Sequence, residues 1–179
     1  MAATPTLTHR PAIRRSSARR TAVPAWLRAP FTADTWRRTA YAMIALPVTL
    51  VSVPLALVGG PAGRLQRRVA RSLLRLDVAE PQRTGVRALV HAVLAVPLSL
   101  LVLLITAYGW SIALLNLAYP ARMLLGWGAG GPDAWGGPTL IGAWAFHAVF
   151  GGLTFLLAMP WIVRGLTWLQ GRLVRGLLG

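Results

Sequence analysis

The chain has 179 residues, no cysteine and a formal net charge of +15, yet 55% of its residues are hydrophobic. That combination excludes an ordinary soluble domain, and it leaves no disulfide framework and no thiolate chemistry. All 19 cationic residues are Arg, and the only carboxylates are Asp34, Asp77, Glu80 and Asp133, so an enzyme built on paired acids has almost nothing to work with.

Residues 1–30 carry Pro5, Pro11, Pro24 and Pro30 among six Arg, with no apolar periodicity, which predicts a disordered basic tail at the cytoplasmic face. The run R-R-S-S-A-R-R is not an export signal, because no apolar stretch and cleavage site follow it. Next comes F-T-A-D-T-W-R-R-T-A-Y. Thr32 or Asp34 caps a helix start there, and Trp36, Arg37 and Arg38 suit the headgroup level. The first apolar run, 40–58, is interrupted by Pro47 and Pro54 and closed by G-G-P.

In residues 62–87, Leu65, Val69, Leu73 and Leu76 recur at helical spacing between Arg64, Arg67, Arg68, Arg71 and Arg75. This predicts a basic amphipathic helix on anionic lipid, ended by Pro81, with packing on a partner helix as the alternative. The second run, 88–119, has no charge at all and far exceeds the roughly 20 residues needed to cross a bilayer. A Gly- and Pro-rich loop at 121–138 places Trp127 and Trp135 as interface anchors. The third run, 139–163, contains Gly142, Gly151 and Gly152 and ends near Pro160 and Trp161, a further anchor. Beyond it, Ile162, Leu166, Leu169 and Leu173 mark an amphipathic C-terminal segment.

The fold class expected is an all-α integral membrane protein with three to four hydrophobic helices plus cytoplasmic amphipathic helices. Residues 1–39 carry +7, 60–87 carry +5, the Gly-rich loop is neutral and 164–179 carry +3. The positive-inside rule then puts the loop outside and the C-terminus in the cytoplasm of a multi-pass plasma-membrane protein. Both flanks of 40–58 are basic, so a single crossing conflicts with that rule: either the run is a proline-bent re-entrant or interfacial element, the reading the prolines favour, or one basic flank lies outside.

The opening motif followed by an apolar run with A-L-P, V-P-L-S-L-L-V-L-L at 96–104, A-M-P-W-I-V-R-G-L at 158–166 and the terminal R-L-V-R-G-L-L-G carry a resemblance. Over residues 31–179 the chain resembles the membrane-embedded sensor domains found at the N-terminus of actinobacterial sensor histidine kinases. The resemblance implies a signalling role and a kinase or other signalling partner, although no kinase core is present. It also implies a second hydrophobic stretch after the first, and here that stretch is missing.

No catalytic triad, phosphate-binding loop or metal-ligand cluster is present, and no cofactor is implied. His147 in the third run, with Tyr108 and Ser111 at similar depth, forms a candidate intramembrane polar site, against the simpler reading of a packing His. The function expected is a non-catalytic input module, the alternatives being a structural or accessory membrane subunit or, less well supported, a transporter component. Anionic lipid is the expected partner rather than nucleic acid, and a homo-oligomer is compatible with the sequence.

Overall fold

The computed structural model describes residues 23–58, 61–79, 85–127 and 134–179. Most of the basic tail, with His9, the residues Gly59 and Gly60, the stop at Pro81 and the loop centre around Gly130 lie outside the described residues. Helices account for nearly everything else, and no strand occurs among the described residues. In chain order they are α1 (Ala25–Arg28), a 3-10 turn (Ala29–Phe31), α2 (Ala33–Leu57), α3 (Ala62–Leu74), α4 (Gly85–Leu117), α5 (Tyr119–Leu124), α6 (Leu140–His147), a π-helical segment (Ala148–Leu153) and α7 (Thr154–Leu178). The last three run on as one 39-residue rod. This rod, α2 and α4 are each long and apolar enough to cross a membrane, so the chain is all-α with three candidate spans.

The first apolar run does not turn back at its prolines. α2 continues through both prolines as a single 25-residue helix. Pro47 and Pro54 lack the N–H that would bond the carbonyls of Met43 and Leu50, but other bonds hold the surrounding turns. Thr49 Oγ1 donates to the Ala45 carbonyl and Ser52 Oγ to that of Val48, each at 2.7 Å. Neither bond reaches the two freed carbonyls, and α2 continues through both prolines all the same, as apolar membrane helices can. The start of α2 is fixed by Thr32, whose hydroxyl accepts from the Thr35 N–H at 3.3 Å, with Asp34 in the first turn.

α4 is the axis of the bundle. Trp110 Nε1 donates to Thr39 Oγ1 at 3.2 Å, while Thr49 and Ser99 hydroxyls meet at 3.5 Å, so α2 and α4 run antiparallel. α7 is also antiparallel to α4: Met159 sits over Gly109, and Gln170 Nε2 donates to Ser99 Oγ at 3.2 Å. At the seam Gly109, Gly151 and Gly152 abut Met159, Asn116 and Leu117 so closely that a Cβ at any of them would collide. α3 folds onto α2 and the end of α7, where Tyr41, Ala45, Ala70, Leu74, Val78, Ala88, Val174 and Leu178 form one apolar cluster. A second cluster joins Trp110, Ala113, Met159 and Val163.

Two segments occur twice. Tyr41, Ala42, Ala45, Pro47 and Thr49 of α2 are matched in α4 by His91, Ala92, Ala95, Pro97 and Ser99. Buried, half-buried and exposed positions follow one another identically along 41–54 and 91–104. Likewise L-Q-R-R-V-A-R-S-L-L at 65–74 is matched by L-Q-G-R-L-V-R-G-L-L at 169–178, and the burial order agrees along 66–74 and 170–178. The chain therefore holds two copies of an apolar helix paired with a basic one, and α6, the π-helical segment and the first half of α7 belong to the second copy alone.

Candidate functional site

Both basic helices turn a face toward the bundle that differs from their leucine stripe. In α3 the buried positions include Gln66, Arg67, Ala70 and Leu74, whereas Leu65, Val69 and Leu73, with Leu76 just beyond the helix, are half-buried. In α7 the buried positions include Val163, Thr167, Gln170, Gly171, Val174 and Leu178, while Ile162 and Leu169 are exposed and Leu166 and Leu173 half-buried. The amphipathic stripe expected from the sequence is therefore one position away from the packed one. Small and hydrogen-bonding residues fill much of the helix contacts, and Leu65, Leu73, Leu166 and Leu169 are left at the rim.

The five Arg expected on one lipid-facing surface are divided. Arg64, Arg68, Arg71 and Arg75 are exposed, and the repeat adds exposed Arg172 and Arg175 on α7. Arg67 is instead only 4% exposed, and its Nη1 donates to the Leu178 carbonyl at 3.2 Å. It lies on the packed face of α3 and there holds one of the last carbonyls of α7, which have no partner within their own helix. Arg71 reaches the Val78 carbonyl, and Arg75 closes α3 in the left-handed region at φ 54°. Among the described residues, these place most of the cations around the start of α4 and the end of α7, with Arg122 the cation of α5 at the opposite end.

The start of α2 forms a separate polar station. Asp34 holds Arg38 at 2.7 Å and Arg37 at 3.4 Å, and Arg38 also donates to Thr167 Oγ1 at 3.3 Å. Trp36 stacks on Trp110 with centroids 4.9 Å apart. Beside them a cavity of about 270 Å³ opens between Thr32, Asp34 and Thr35 on one side and Pro160, Trp161 and Arg164 on the other. Trp36, Trp127, Trp135 and Trp161 are all more than half exposed.

The intramembrane trio is not assembled. His147 stacks on Tyr119 at 4.3 Å, and its Nδ1 lies 2.8 Å from the Ala143 carbonyl. Tyr108 is 70% exposed and Ser111 is exposed as well, both turned outward from α4. Equal depth along a helix leaves its rotation undetermined, and the rotation separates these residues. The polar side chains the bundle does bring together are Tyr41, Thr49, Gln66, His91, Ser99 and Gln170, around a small cavity between α2, α3, α4 and α7. Sequence reasoning passed over them. Their signal was the repeat itself, which sets Tyr41 against His91, Thr49 against Ser99 and Gln66 against Gln170. Among the described residues no three His, Cys, Asp or Glu gather as metal ligands would. No family model, curated protein or solved structure matches the chain.

Proposed function

We propose that the chain is a membrane-embedded input module that performs no catalysis itself, akin to the kinase-associated sensor domains its motifs resemble. The observation that carries this reading is α7. This uninterrupted 25-residue helix runs past the glycine seam at Met159 to the basic segment where Arg67 grips Leu178. A shift at the seam is therefore passed along a stiff rod to the C-terminus, where a histidine kinase or another signalling protein would read it.

The orientation follows from charge. α3, the start of α4 and the end of α7 share one end of the bundle, and their segments at +5 and +3 outweigh the +7 of residues 1–39 by a narrow margin. That end faces the cytoplasm, where Arg64, Arg68, Arg71, Arg75, Arg172 and Arg175 meet anionic headgroups. Because α2 is antiparallel to α4, the N-terminal tail then lies outside with the Gly-rich loop. This arrangement replaces the cytoplasmic tail expected from the sequence.

The test joins a histidine-kinase core behind Gly179 through zero to seven inserted alanines. Autophosphorylation should rise and fall with a period of roughly 3.6 residues, the helical repeat. A flat response across the series would remove the input-module reading and leave a structural membrane subunit.

A further inference from the structure

Matching members of the two copies meet at one place. Thr49 and Ser99 face each other at 3.5 Å, and Gln170 donates to Ser99 at 3.2 Å. Tyr41, Gln66 and His91 line the same cavity, whose volume is about 10 Å³. His91 is 2% exposed, and neither of its ring nitrogens has a hydrogen-bond partner among the described residues. Gln170 is 4% exposed and its Oε1 is likewise unpartnered. Buried polar atoms are seldom left in this condition, because each has given up its bonds to water.

We propose that this cavity is a binding site for one water molecule, held between His91 and Gln170. The neutral imidazole supplies one N–H for the water to accept, and the Gln170 carbonyl accepts one of the water's hydrogens. The hydroxyls of Ser99 and Thr49 line the same cavity and can complete its two to four partners. Size and charge select this ligand. A cavity of about 10 Å³ holds about one water-sized sphere and is too small for a halide. A cation of similar size would find no carboxylate in the lining to offset its charge. The site joins α4 to α7 and abuts α2 and α3, so it lies where the two copies touch. Oppositely directed repeats in membrane proteins place their sites at that same interface. The inference is independent of the signalling reading above.

The full chain in detergent micelles tests it. His91→Leu and Gln170→Leu should each lower the melting midpoint by about 5 °C, since each strands the other side chain. The double variant should melt no lower than the worse single one, because no unpaired polar atom of the pair remains; additive losses would overturn the bridge. In the wild-type chain, the His91 ring protons should show an NMR cross-peak to a long-lived water that disappears in Gln170→Leu, and its absence from the wild type would overturn the site. Stabilisation by sodium chloride over choline chloride that vanishes in His91→Leu would identify a cation and overturn the water assignment.

Discussion

α2 and α4 are two renderings of one pattern with different fates. Through Pro54 in the first and Leu104 in the second they bury the same positions in the same order. α2 then stops at Leu57, whereas α4 continues to Leu117 and meets a second helical layer through Gly109, Trp110, Ala113 and Asn116. The shared half is closed by alanines and hydroxyls and the extension by glycines against larger side chains. The repeated pattern therefore specifies a face for packing, while the residues beyond it decide whether another helix is added. Direction differs too, since the two copies point opposite ways across the bundle.

The largest expected effect concerns direction. Reporters fused after Arg28 and after Trp127 should report one side of the membrane, and reporters after Arg71 and Gly179 the other. Agreement between Arg28 and Arg71 would restore the turned-back first run and remove the antiparallel pair.

Next comes the seam present in the second copy alone. Met159 is fully buried over Gly109, so Met159→Ala should cost about 3 kcal/mol in a reversible denaturation assay. A loss below about 1 kcal/mol would show that the extension is loosely packed.

The equivalence of the copies is sharpened by Ala42→Leu and Ala92→Leu, at matching positions that are both 0% exposed. Each should lose about 2 kcal/mol by overpacking, and a clear inequality would mean that matched burial conceals unmatched fit. The smallest effect is expected at the Asp34–Arg38 pair, whose carboxylate is 47% exposed. Asp34→Asn should change stability by about 0.5 kcal/mol or less.

The three apolar runs and the cap at Thr32 were legible in the sequence because length, composition and capping chemistry are local properties, whereas the loop expected from 121 begins only after α5 ends at Leu124. The rotation of each helix was not. A hydrophobic stripe marks the buried face in water, but a membrane helix can leave Leu65 or Leu169 at the rim while Gln66 or Gln170 packs inside. The same difficulty defeated the grouping of His147 with Tyr108 and Ser111. The prolines misled for a related reason. A break predicted at Pro47 assumes that a missing N–H ends the helix, and α2 instead runs on through both prolines. Arg67 counted as one more surface cation until its carbonyl partner, more than a hundred residues away, came into view.

The wide turn at Ala148–Leu153 sets an angle. A π-helical turn amounts to one residue spliced into an α-helix, and Thr154 Oγ1 bonding the Val149 carbonyl at 2.9 Å marks where the splice ends. One residue corresponds to roughly 100° of rotation about the helix axis. The side chains from Phe155 onward are thus dialled by about a third of a turn relative to those of α6. Ala143 before the splice and Met159 after it are both buried, although ordinary helical counting would set them on nearly opposite faces. Loss of a single glycine at 151 or 152 would leave the rod straight and equally apolar, but with Gln170 and Leu178 aimed elsewhere. In this molecule one residue of chain length works as an angular adjustment on everything that follows.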